Sequence, residues 1–129
     1  MTYRAPSSYA SHPSFYGPAS QLSSKALLVL TTCNSAEEAD GIAANLVEAR
    51  LAACVNRLDG ITSTYRWEGE LRRDQETLLL IKTTEDRFEA LEQAICKQHS
   101  YELPEVLAVP VQGGSSGFLD WLVAAVREA

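Results

Sequence analysis

Past position 24 the chain carries a single histidine, His99, which is followed by Ser100, Tyr101, Glu102, Leu103 and Pro104. An imidazole in this company has two ordinary uses. It can ligate a metal, with thiolates from Cys33 or Cys54 and the Glu102 carboxylate completing a low-coordinate site suited to copper or another borderline or soft divalent cation. It can equally stabilise the C-terminal end of a helix through the dipole or a loop hydrogen bond. Cys33 and Cys54 stand far from His99 in sequence, so a shared site requires strand ends to meet it, within one subunit or across a boundary. Cys96, three residues before His99, shares a helix side with it only if the helix does not fray there.

Other chemistry-bearing residues are open to two readings. Lys82 ends a wholly apolar run, where its ammonium can face a pocket at the sheet end or pair with Glu70 or Glu102 at a subunit seam. Tyr65, Trp67 and Trp121 read as core or interface aromatics, since such side chains supply much of the burial in oligomer contacts. There is no Gly-x-Ser-x-Gly, no phosphate-binding loop and no His-Glu-x-x-His, and the sequence predicts a binding protein and not an enzyme. Gly113-Gly114-Ser115-Ser116-Gly117 lacks the lysine of a phosphate cradle and reads as a turn and helix cap.

Composition narrows the setting. The chain has 129 residues, a formal charge of −6 and 46% apolar residues, which is ample for one self-supporting core. All seventeen acids lie after position 24, along with every Lys and Arg except Arg4. An acidic domain repels phosphate backbones, so no nucleic-acid partner is expected, whereas cations are natural ones. Three cysteines without C-x-x-C spacing predict free thiols in a reducing compartment, and with no secretory leader or long apolar run the expected location is the cytoplasm, with no membrane association.

The elements that must position these groups are legible from pattern. Met1–Ser24 is rich in Ser and Pro without apolar periodicity and reads as a flexible tail; residues 25–129 form the domain. Ala26–Thr32 is a buried strand. Ser35 and Glu38 form a capping box before a helix whose stripe is Ala39, Ile42, Ala43, Leu46 and Val47. Ala53–Trp67 is one long strand bent at Gly60, Glu68-Gly69 is a tight turn, and Leu71–Thr84 returns antiparallel, making a hairpin that overhangs the sheet. A helix bearing Phe88, Leu91, Ala94 and Ile95 ends before His99, Glu105–Val111 is a fourth strand, and a last helix carries Phe118, Leu119, Leu122, Val123 and Val126. The order predicts an α+β, ferredoxin-like βαββαβ sandwich with a C-terminal helix. Right-handed crossovers put the first two helices on one sheet face and leave the other too apolar to stay wet, so a partner subunit is expected to cover it.

Four blocks carry a resemblance: Leu46–Asn56 with its Leu-Ala-Ala-Cys-Val-Asn entry to the second strand, Ser63–Glu70 at the hairpin tip, Leu80–Thr83 at its return, and His99–Glu105 before the fourth strand. In order and spacing they resemble the CutA divalent-cation-tolerance family, over Ala26 to about Arg127. The resemblance implies a PII-like homotrimer with hairpins wrapping neighbours and a role in metal homeostasis with copper foremost, for which the residues themselves offer the metal set His99, Cys33, Cys54 and Glu102. Its alternative is a structural or signalling trimer that takes a small organic ligand or a protein at an inter-subunit cleft lined by Cys54, Trp67, Glu70, Lys82, Tyr101 and Glu102. Two positions depart from the family pattern, with Ser100 where proline usually follows the histidine and Asn34 where proline often follows the cysteine.

Overall fold

The computed structural model describes residues 24–127. Of the expected Met1–Ser24 tail, all but the last residue lies outside them. Seven elements follow in order: β1 (Ala26–Cys33), α1 (Ala36–Glu48), β2 (Cys54–Trp67), β3 (Glu70–Thr84), α2 (Glu85–Gln98), β4 (Leu107–Pro110) and α3 (Ser116–Ala125). They build one antiparallel sheet in the order β2-β3-β1-β4. This is the predicted split βαβ plan: each helix links two strands that flank a third, and right-handed crossovers set both helices on one face.

Alternation along β1 separates the two faces. Leu27, Val29, Thr31 and Cys33 are buried and pair across the ladder with Thr83, Ile81, Leu79 and Thr77. Against this face pack Ala39, Ile42 and Leu46 of α1 and Phe88, Leu91 and Ile95 of α2, giving one continuous core. Val47, predicted on the α1 stripe, is 43% exposed, because it lies past the edge of the arc that α1 turns to the sheet. The opposite face carries Leu28, Leu30, Leu78 and Leu80, all only half-buried. There α3 docks with Leu122 and Val126 against Ala26 and Ala53, at one end of the sheet.

Local chemistry sets the element ends. The Ser35 side chain accepts from the Glu38 N–H at 3.1 Å and caps α1. Since such a cap satisfies a helix N–H that has no other intrahelical partner, Ser35→Ala is expected to cost about 1 kcal/mol, measurable as a shift in urea midpoint without a change in slope. At the far end of α1, Arg50 stands at φ 58 while the Leu51 N–H returns to the Leu46 carbonyl at 2.9 Å. Thr83 Oγ1 then donates to the Leu51 carbonyl at 2.7 Å and locks that loop onto β3.

The hairpin turns at Glu68 (φ 49) and Gly69 (φ 79), two successive positive values that match the strand twist. Gly60 at φ 68 marks the expected bend, where the β2–β3 register shifts between Leu58 and Ile61. Beyond Thr77, β3 has only β2 beside it, since β1 ends at Cys33; the hairpin overhangs as predicted. The fourth strand is shorter than Glu105–Val111. Only Leu107–Pro110 enter the ladder, opposite Leu27–Leu30, with Pro110 as the last paired residue, and the Val111 N–H still reaches the Ala26 carbonyl at 3.0 Å.

Candidate metal centre

The end of β1, the first turn of α1 and the residue that closes α2 converge at one point. Cys33 is the last residue of β1, Glu38 the third residue of α1, and His99 the C-cap of α2. Their Sγ, carboxylate and imidazole atoms lie within 4.8 Å of one another. Cys33 is fully buried and His99 nearly so, while Glu38 keeps partial access to solvent.

Hydrogen bonds settle how the imidazole is held. His99 Nε2 lies 2.7 Å from the Thr32 carbonyl, which can only accept, so Nε2 carries a proton. In the neutral ring Nδ1 is then a lone pair, and it accepts the Tyr101 N–H at 3.1 Å. Glu38 Oε1 stands 3.3 Å from the same Nδ1 and also accepts the Ser100 N–H at 3.4 Å. Serine at position 100 therefore supplies a donor that proline cannot. Only one of the two halves of the capping box forms: the Ser35 hydroxyl serves the Glu38 N–H, but the Glu38 carboxylate turns to the His99 loop.

Behind His99, the Tyr101 ring packs at 4.6 Å between centroids, and its hydroxyl donates to Glu76 Oε2 at 2.7 Å. Glu76 is 97% buried at the point where β3 leaves the sheet. Burial, followed by the Glu38 and Glu76 carboxylates, pushes the Cys33 thiol up to about 12. The Tyr101 phenol is raised as well, by burial first and then by its hydrogen bond to Glu76. Glu105 is raised by burial and by the proximity of Glu76.

A metal fits this donor set on two counts. Sulfur, nitrogen and oxygen donors lie close enough to share one ion, and Nε2–H on a main-chain carbonyl is the outer contact that orients a ligating imidazole. A bound cation would have to displace the proton that the Cys33 thiol holds.

Of the residues expected from sequence, the structure brings Cys33 and His99 together and does not bring Cys54 or Glu102 to them. Cys54 pairs with Lys82, whose other neighbour is Leu28, so it lies about 17 Å farther along the strand direction than Cys33, at ~3.3 Å per residue. Glu102 is exposed, past the turn that carries Tyr101. Glu38 is the candidate donor that sequence reasoning missed. The expected cleft is also divided: Trp67 and Glu70 pair at the hairpin tip, twelve residues along β3 from Lys82, or about 40 Å. Tyr101 sits between, on Glu76. Within one protomer these residues line no common cleft.

A split-βαβ domain with a thiol, a carboxylate and an imidazole gathered at one end of its sheet defines a small α+β protein with a candidate cation site. The comparisons make the class particular: a profile of the CutA1 divalent ion tolerance protein matches residues 27–125. The chain belongs to that family. It is 50% identical over 95 residues to the divalent-cation tolerance protein CutA of Thermus thermophilus, covering 74% of this chain and 92% of the relative. Rice carries a relative, Protein CutA 1, chloroplastic, 40% identical over 103 residues that make up 80% of this chain and 58% of that one. The crystal structure of CutA from Xylella fastidiosa superposes with a TM-score of 0.79 at 40% identity, over 81% of this chain and 100% of the other. The Thermus relative is named as a tolerance protein, and none of the three carries the name of an enzyme. No helix among the described residues is long and apolar enough to cross a membrane.

Proposed function

We propose that this protein binds a divalent or soft cation, copper foremost, at Cys33, Glu38 and His99, and serves metal homeostasis in a reducing compartment such as the cytoplasm. The observation that carries this reading is the convergence of three different donor types from three separate elements on one point. A thiolate and an imidazole favour copper and zinc over hard cations. A thiol pushed up to about 12 is a poor nucleophile at neutral pH, which favours a binding role over a catalytic one. Copper titration of the reduced protein tests the reading. His99→Ala is expected to weaken binding by at least about tenfold, as even loss of an outer contact to a metal ligand does. Binding weaker than micromolar, or untouched by the substitution, removes its support.

The working unit we propose is a homotrimer. Leu28, Leu30, Leu78 and Leu80 form an apolar sheet face that α3 covers only at one end, and Leu58, Leu107 and Val109 extend it with exposures of 44%, 55% and 47%. Contiguous apolar surface of this kind marks an interface. The overhanging hairpin has a free strand edge with which a neighbour can pair, and cyclic closure lets each subunit give one hairpin and receive one. Such an assembly also offers the means to bring Trp67 and Glu70 of one protomer toward Cys54 and Lys82 of another. The alternative function, a structural or signalling trimer holding an organic ligand or protein in that cleft, depends on it.

A further inference from the structure

The lone pair by which His99 would hold a cation is already in use. Nε2 is committed to the Thr32 carbonyl at 2.7 Å, so Nδ1 is the only nitrogen left to ligate, and it accepts the Tyr101 N–H at 3.1 Å. One lone pair cannot serve an N–H and a metal together. Tyr101 is in turn held from its other end, since its hydroxyl donates to Glu76 Oε2 at 2.7 Å. Glu76 belongs to β3 and cannot follow the loop, because Ile61 of β2 pairs with it in the ladder and its side chain is 3% exposed. Tyr101 thus spans from the helix face, where Cys33 lies, to the side of the sheet that carries Leu78 and Leu80, with its main chain on the candidate ligand and its phenol on a buried carboxylate.

We propose that Tyr101 acts as an internal competitor for the cation site, a positioning residue whose clasp on Glu76 sets how readily His99 Nδ1 is released to a metal. This rests on the metal reading above and adds its regulation. For Nδ1 to be freed, the Tyr101 amide must swing off the ring; the loop Ser100–Tyr101 then moves, and the phenol loses its hold on Glu76. Linkage makes the effect reciprocal: whatever loosens the clasp tightens cation binding, and cation binding loosens the clasp by the same factor. Glu76 lies on the sheet face that a neighbouring subunit would cover, so occupancy of the metal centre would be felt there without any contact between the ion and the interface.

The probe is Zn2+ alone, which is redox-silent, added to the full chain with its thiols kept reduced. Tyr101→Phe removes the bond to Glu76 and keeps the ring against His99, and it is expected to tighten Zn2+ binding by about tenfold, the worth of one charge-assisted hydrogen bond. Glu76→Gln retains an acceptor without the charge and is expected to shift affinity in the same direction by less. A measurement that needs no variant guards against misfolding: in the wild-type chain, saturating Zn2+ should speed hydrogen exchange of the Tyr101 amide by about tenfold, since its acceptor is taken. Unchanged or weakened Zn2+ affinity in Tyr101→Phe, with unchanged Tyr101 exchange, overturns the competitor role while His99-dependent binding stands. Absence of binding that His99→Ala can abolish overturns both readings at once, and the two failures are told apart by the wild-type titration.

Discussion

Leu80→Asp is expected to break the proposed trimer, so that the mass of the soluble protein by light scattering falls from about three times the 14.1 kDa chain mass to that mass, or the chain is lost to aggregation. Leu80 lies opposite Leu30 and Asn56 in the sheet and points to the face away from α1 and α2, next to Leu78 and Leu28. In an isolated protomer a carboxylate there would meet water and cost little. In the proposed trimer it would be desolvated among leucines without a partner, and an unpaired buried charge costs about 3–5 kcal/mol at each interface. Three related interfaces repeat that penalty. Trp67→Asp should act in the same sense, because Trp67 stands at the hairpin tip, well beyond the end of β1, where the proposed trimer places a neighbouring subunit. A dilute native protein that scatters as 14.1 kDa overturns the trimer directly. Unchanged mass in Leu80→Asp would show that some other surface joins the subunits.

Alkaline pH should destabilise the metal-free protein, and Cys33 should be a main cause. Its folded thiol is pushed up to about 12 by burial and by Glu38 and Glu76, whereas in the unfolded chain an ordinary thiol ionises near ~8.5. Below the unfolded value both states hold the proton, and the stability is fully present. Between about 9 and 12 the unfolded chain loses the proton and the folded one keeps it, so the unfolded state gains and stability falls, by at most about 1.4 kcal/mol per pH unit for one such group. The Tyr101 phenol, also raised, acts in the same direction above its ordinary range. Urea unfolding at fixed protein concentration from pH 8 to 10.5 measures this. Cys33→Ala should be less stable at pH 8, since a buried atom is lost, yet show a shallower decline with pH. Equal slopes in the two proteins would place the titration elsewhere.

Much of the fold was legible because it rests on short-range rules. A continuous apolar run with turn residues after it announced β1. Ser35 and Glu38 announced the start of α1, and Glu68-Gly69 with Gly60 placed the hairpin and its bend to the residue. Periodicity identifies Ala39, Ile42, Leu46, Phe88, Leu91 and Ile95 as core positions, and the structure buries all six. The same rules failed at margins. Val47 satisfies the helical spacing but falls outside the buried arc, and the fourth strand pairs only over Leu107–Pro110.

The candidate site divides along the same line. Residue type alone identified His99 and Cys33 as the groups whose chemistry could matter, for an imidazole and a soft sulfur are ligands in any context. What only the tertiary structure decided is their company. Glu38 looked committed to its own helix by the spacing of the capping box, a local pattern three residues long, yet its carboxylate is taken by Ser100 and His99, about sixty residues away in sequence. Cys54 looked equal to Cys33 as a thiol, but strand register carries it to the other end of the sheet, against Lys82. Ligand type is a property of one side chain; ligand sets are made by register and crossover, which join residues that no spacing in the sequence relates.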